Sequence, residues 1–328
     1  MKKLILLSIL LGASLVAVQY EAVSEVGGGS DRQMWIHARQ EAGENGNPWQ
    51  YRMLPDLLIT LGCKAIGIKP VGIPVFRGDA LAKYLFTRWD WGIAISLRVI
   101  QNALILLLFS LYLGLLGIKR GVEGLVLASW FILLCAYRTD LAFSSYFDLA
   151  FFLGAMVLFL RGWYWWVIPL TALASFNRET ALLIPLACGV DYFRTRKSQA
   201  IYASMAGLVT YALIFWGLRA YYPPQASQTA NFPELHPGLS MLLSNLKSPW
   251  TVGLLFASLG IPIWVVLRKF RTWNPFLKLH FWLLGAGWIF THFVCGRIYE
   301  IRLLLVPVVV IGIPLLLKGD EILHRNHP

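Results

Sequence analysis

The stretch "SFNRETALLIP", residues 175–185, places Asn177, Arg178 and Glu179 side by side between two apolar runs. Arginine grips a phosphate through parallel N–H donors and neutralises it as it departs. A carboxylate can take the proton from an attacking hydroxyl. The same residue types recur along the chain. "GRIYEIR" carries Arg297, Glu300 and Arg302, and "YRTDLAFSSYFDLAFF" carries Arg138, Asp140 and Asp148. Arg98, Gln101 and Asn102 stand at helical spacing, Arg52 and Asp56 are four apart, and Asp31 follows the Gly-rich "EVGGGS". Several arginines and acids beside apolar runs suit a lipid-linked phosphate substrate.

Each of these residues also has a purely structural reading. Asn177 can cap the helix that follows, with Glu179 favoured in its first turn. Arg52 with Asp56 can be a surface pair, and Arg297 with Glu300 a structural one. Asp148 reads as a first-turn acid, Asp31 as solvated linker, and Arg98 as a side chain reaching headgroups. The case for a site rests on convergence, so the elements that would bring these residues together come next.

The chain has 328 residues, 57% of them hydrophobic and 14% charged, with mean hydropathy +0.61. A soluble domain carries about 25% charged residues. Apolar runs approach the ~20 residues that cross a bilayer, and no polar helical face alternates with them. The expected fold class is all-α, a polytopic transmembrane bundle forming a single integral membrane domain over 1–328. Candidate spans are 4–20, 92–117, 122–137, 143–160, 163–176, 180–193, 198–218, 249–267, 278–295 and 301–317. "MKKLILLSILLGASLVAVQYEA" reads as an uncleaved first helix in preference to a signal peptide, lacking a clean small-x-small site.

The net charge of +12 fits short basic inside loops better than nucleic-acid binding. Alternate junctions collect Lys2 and Lys3, Lys119 and Arg120, Arg161, then Arg194, Arg196 and Lys197, then Arg268, Lys269 and Arg271, then Lys318 and Arg325. That register puts both termini in the cytoplasm of a bacterial inner membrane and two longer loops outside. Residues 21–91 should contain short helices lying on the membrane surface. Residues 219–248 are proline-rich and read as an ordered loop. All the candidate site residues then fall towards the outer, periplasmic face, where buried charges line a cavity or pair with one another.

Other chemistries lack their signatures. Cys63, Cys135, Cys188 and Cys295 are scattered and read as small apolar residues; there is no CxxC, HExxH, Walker loop, GxGxxG or internal repeat.

"YRMLPDLL", "SSYFDLAFFLGA", "FNRETALLIPL" and "GRIYEIRLLLVPVVV" resemble segments of the GT-C superfamily of membrane glycosyltransferases. The organisation is similar too: a short first helix, a long outer loop with an acid near its start, short outer hairpins and a distal arginine-bearing loop. The resemblance covers most of the chain in order. It implies a hexosyl- or pentosyltransferase that moves a sugar from a polyprenyl-phosphate donor to an acceptor on the outer face. It implies Asp31 as catalytic base, with Glu25 behind it, and Asp140 as a second acid. Arg178, Arg297 or Arg302 would hold the leaving phosphate, with Glu179 and Glu300 orienting those arginines. Arg52, Arg98, Arg138, Asp148 and Asn177 complete the expected substrate surface. A divalent metal, Mg or Mn, where used, would lie between Asp31 and Asp140; the first loop has no DxD or ExD. A polymerase or ligase of lipid-linked saccharides would share the arginines without needing Asp31. A transporter would place broken helices or charges at the bilayer middle.

Overall fold

The computed structural model describes residues 2–26, 52–67, 89–136, 143–221, 238–249, 252–253, 264, 267–268, 270–295 and 301–318. Among these residues the chain is helical, without strands. The helices are α1 (Lys2–Val26), α2 (Leu54–Ala65), α3 (Trp89–Leu115), α4 (Gly121–Ala136), α5 (Phe143–Arg161), α6 (Val167–Ser175), α7 (Leu183–Thr195), α8 (Ser198–Tyr221) and α9 (Leu239–Lys247). A further run, 275–295, consists of α10 (Pro275–His280), a π-helical turn Phe281–Gly287 and α11 (Trp288–Cys295). The final run, 301–318, contains a second π-helical segment, Pro307–Gly312.

Three segments are long and apolar enough to cross a membrane: Gly92–Leu115, Phe143–Arg161 and Ser198–Tyr221. The apolar segments Leu4–Gln19, Gly121–Cys135 and Pro307–Lys318 are shorter. Every expected span except 249–267 coincides with a helical run; most of 249–267 lies outside the described residues.

Burial sorts the long helices. In α5, 67% of the most apolar window is buried, against 17% in α8. α5 is the central post, packed by α3, α6 and α7 and by the 301–318 run. α8 packs on α6 and α7 and turns Met205, Val209, Leu213 and Trp216 outward. A contiguous apolar helix face of that kind suits lipid, which needs no polar partner.

Small residues set the close approaches. A Cβ on Gly12 of α1 would meet the Ala103 backbone nitrogen of α3 at 2.7 Å. A Cβ on Gly207 of α8 would meet Pro185 at 2.9 Å, and three residues earlier Ser204 Oγ donates to the Pro185 carbonyl at 2.7 Å. Aromatic residues tie the last runs to the post. Trp288 sits edge-on to Phe152 with centroids 5.1 Å apart and donates Nε1–H to the Leu303 carbonyl at 2.7 Å. Tyr112 of α3 donates to the Val310 carbonyl at 3.0 Å.

In both expected outer loops the described residues are largely helical, as expected for the first and against expectation for the second. α2 buries Leu54, Pro55, Asp56, Ile59 and Cys63 against α3 and α5 while Leu57 and Leu61 stay exposed. It is a packed element of the bundle as well as an amphipathic one, and the Leu54 amide donates to the Phe176 carbonyl at 2.9 Å. In the second loop, residues 239–247 form α9 instead of proline-rich coil. Gly238, at φ 120°, donates its N–H to the Val294 carbonyl at 2.8 Å, and Asn245 donates to the Phe293 carbonyl at 2.9 Å. Both prolines at 223–224 and those at 233 and 237 precede this helix, so its backbone donors are intact.

Candidate functional site

Alternation of the helices gives the bundle two polar ends. The first contains the start of α5, the α6–α7 turn, the C-terminal end of α8 and the residue leading into α2. The "NRET" turn stands there. After α6 the chain makes a turn at 176–177, Arg178 is extended (φ −159°, ψ 159°), and a 3₁₀ turn Glu179–Leu182 leads into α7.

Asp148 is the hub. It is 2% exposed. Its Oδ1 accepts from Asn177 Nδ2 at 2.8 Å, and its Oδ2 accepts from Thr180 Oγ1 at 2.9 Å and lies 3.2 Å from Arg178 Nη1. Arg178 Nη1 also donates to Ser145 Oγ at 3.2 Å, and Asn177 Nδ2 to the Ser144 carbonyl at 2.8 Å. A buried carboxylate is tolerated only with such compensation. Two expectations change here. Asn177 does not cap the next helix, since neither the 3₁₀ turn nor α7 has a side-chain cap; its amide is spent on α5. Asp148 is not in the first turn of α5, so its role is set by the residues packed around it and not by the helix end.

Glu179 forms a second node. Its Oε2 lies 3.7 Å from Arg52 Nη2 and its Oε1 3.8 Å from Arg219 Nη2. Its carbonyl accepts from Tyr211 at 3.2 Å. Arg52, expected only beside Asp56, thus also reaches the "NRET" turn. Burial raises the Glu179 pKa, but Arg52, its own backbone hydrogen bond, Arg178 and Arg219 outweigh that and hold the carboxyl below its ordinary value of 4.5. Burial and Arg178 push Arg52 down to about 10, which leaves it cationic at neutral pH. Arg302, 7% exposed, is close enough for its charge to act on Arg52.

Arg98 adds a third node. It is fully buried in α3, 3.7 Å from the Phe143 ring centroid and 4.9 Å from that of Tyr146. Aromatic faces attract a guanidinium strongly when water is excluded. Its Nη1 donates to Gln101 Oε1 at 2.8 Å, and Gln101 donates on to the Phe143 carbonyl at 3.0 Å. Asn102 donates to Gln19 of α1 at 2.9 Å. Arg98 is therefore a buried strut between α3 and α5, not a side chain reaching headgroups.

Of the expected site residues, Arg52, Asp148, Asn177, Arg178, Glu179 and Arg302 come together, with Arg98 beside them. Asp31, Arg138, Asp140, Arg297 and Glu300 lie outside the described residues. Arg219, Ser145 and Thr180 were not singled out in the sequence. Arg219 had a readable signal: it ends an apolar run on the same register as Arg98. Ser145 and Thr180 are small hydroxyls with no pattern of their own. At this end Arg52, Arg178 and Arg219 stand around Asp148 and Glu179, and the charge of Arg302 reaches Arg52. Among the described residues, Arg178 Nε and Asn177 Oδ1 are buried without a hydrogen-bond partner.

Leu304, two residues beyond Arg302, borders an apolar cavity of about 460 Å³ whose walls include Phe281, Phe293, Pro307, Val308 and Ile311. The π-helical segments and Gly285 and Gly312 widen the space between the last two runs. Among the described residues no group of three His, Cys, Asp or Glu could hold a metal ion. Cys63, Cys135 and Cys188 are buried and form no disulfide with one another. Compared with protein-family models, curated proteins and solved structures, the chain matches none.

Proposed function

We propose that this chain is a membrane glycosyltransferase of GT-C type, with ten spans and both termini cytoplasmic, acting on a polyprenyl-phosphate-linked sugar at the periplasmic face of a bacterial inner membrane. The observation that carries the reading is Arg178 itself, a buried arginine in the "NRET" turn whose Nε–H has no acceptor among the described residues. A buried cationic donor of that kind suits an anion, and arginine matches a phosphate oxygen pair. The apolar cavity that begins at Leu304 offers the carrier's hydrocarbon chain a place close to Arg302.

In this mechanism an acceptor hydroxyl attacks the anomeric carbon while the bond from that carbon to the carrier phosphate breaks, in one inverting displacement. Asp31 takes the hydroxyl proton. The phosphate leaves with the bonding pair and is held by Arg178, Arg302 and Arg297. Asp148 and Glu179 titrate in no step: Asp148 fixes Arg178, and Glu179 bridges Arg52 and Arg219.

The deciding experiment measures polyprenyl-phosphate binding and melting temperature side by side for Arg178→Lys. Lysine keeps a charge beside Asp148 but loses the guanidinium fork. Carrier binding should weaken about tenfold or more, the ~1.5 kcal/mol lower end for a hydrogen bond to a charged group, with melting little changed. Unchanged binding with a lowered melting temperature would make Arg178 structural and end this reading. Asp31→Asn should fold, bind carrier and fail to transfer; normal turnover would remove Asp31 from the chemistry and leave Asp140 as the base.

A further inference from the structure

The opposite end of the bundle carries a second polar construction, independent of the arginine cluster. Arg161 closes α5, thirteen residues past Asp148 and so about 20 Å along the helix. The chain then turns through Gly162, at φ 72°, into a 3₁₀ turn at Tyr164–Trp166. The α7–α8 turn, Thr195–Ser198, packs beside it: Lys197 Nζ lies 3.4 Å from where a Gly162 Cβ would stand. Arg194 donates to the Phe159 carbonyl at 3.5 Å. Arg161, Arg194, Arg196 and Lys197 thus gather at one corner.

The carboxylate in this corner is already committed. Asp191 is fully buried, accepts twice from Arg194 at 2.7 and 2.9 Å, and accepts from Tyr164 at 2.8 Å. Arg161, Arg196 and Lys197 are exposed. Beside them Trp163, Trp165, Trp166 and Phe193 are each more than half exposed, and Arg161 stands 5.7 Å from the Trp163 ring centroid. Exposed tryptophans at the end of a membrane-length helix mark headgroup depth. Three cations at that depth, without a free carboxylate among the described residues nearby, complement an anionic headgroup and not a zwitterionic one.

We propose that this corner, built from the α5 C-terminus and the α7–α8 turn, binds the phosphate of an anionic phospholipid in the leaflet away from the arginine cluster. Its aromatic rings lie against the acyl boundary, and Arg161, Arg196 and Lys197 meet the headgroup. An acidic protein would match the charge but leaves the tryptophan rings at the rim unexplained. The backbone supplies an internal control. Arg196 is the non-glycine residue at positive φ among the described residues (φ 56°, ψ 18°), capping α7. Glycine suits that conformation better, so arginine here is kept against backbone preference.

The test follows thermal unfolding of the full chain in nanodiscs of phosphatidylcholine alone and with a third phosphatidylglycerol, together with retention of the lipid in native mass spectra. Wild type should melt higher with phosphatidylglycerol and retain it. Arg161→Gln with Lys197→Gln should melt normally in phosphatidylcholine and bind phosphatidylglycerol about thirtyfold more weakly, about fivefold per cation removed. Arg196→Gly should melt at or above wild type in phosphatidylcholine yet lose about fivefold in phosphatidylglycerol binding. Three results would overturn the proposal: full retention in the double variant, loss of retention in Arg178→Lys instead, or the same rise in melting with inorganic phosphate alone, which would mark a plain anion site.

Discussion

Asp148 shows how one carboxylate organises this protein. It receives an arginine, an asparagine and a threonine from a single turn. Breaking a buried pair by removing one charge leaves the other uncompensated. Asp148→Asn should therefore destabilise the chain by about 3 kcal/mol, seen as a lower unfolding midpoint in detergent; a loss under 1 kcal/mol would mean that water or lipid headgroups already solvate Arg178. Glu179 gives a pH signature. Its carboxyl is held below 4.5 in the folded chain, so the folded state binds its proton less readily than the unfolded state. Its contribution to stability is complete above pH 4.5 and fades as pH falls towards the lower folded value. Melting temperature in wild type should drop across that window more steeply than in Glu179→Gln, and parallel curves would show that Arg52 and Arg219 do not act on Glu179.

At the scale of elements, helix contact depends on residues that carry no chemistry. α1 meets α3 where Gly12 leaves no room for a Cβ above the Ala103 backbone. Gly12→Leu should force the helices apart, cost about 1–3 kcal/mol and weaken the Gln19–Asn102 contact two turns along the same face of α1. Unchanged stability would show that α1 is loosely held. The "NRET" turn is an element-scale device too. The Leu54 amide bonded to the Phe176 carbonyl, and Arg52 beside Glu179, hang α2 from this turn. Anything that moves the turn therefore moves α2.

For the whole molecule, the two polar ends make a topological prediction. Lys318 Nζ donates to the Leu116 carbonyl at the α3–α4 turn, and Lys197 stands beside Gly162, so basic junctions far apart in sequence meet in pairs. Reporter fusions after Arg196 and after Arg271 should read cytoplasmic, and one near Gln228 periplasmic. A periplasmic result at Arg196 would reverse the assignment of both ends.

Much of the architecture was legible in the sequence because it rests on local physics. Apolar runs of span length must be helices in lipid, where every backbone group needs an internal partner, and the stretches at 92–117, 143–160 and 198–218 are helices of that kind. The convergence of Arg178, Glu179, Asp148 and Arg52 was also implied, because alternating helices return their polar ends to one side. The pairings were not. Whether Asn177 caps a helix or reaches Asp148, whether Arg52 extends to Glu179, and whether Arg98 points to water or to Phe143 each depend on which helix packs alongside. Residue spacing along one helix carries no information about its neighbours. Arg219 and Ser145 joined the site for the same reason: their partners lie tens of residues away, and only packing chooses them.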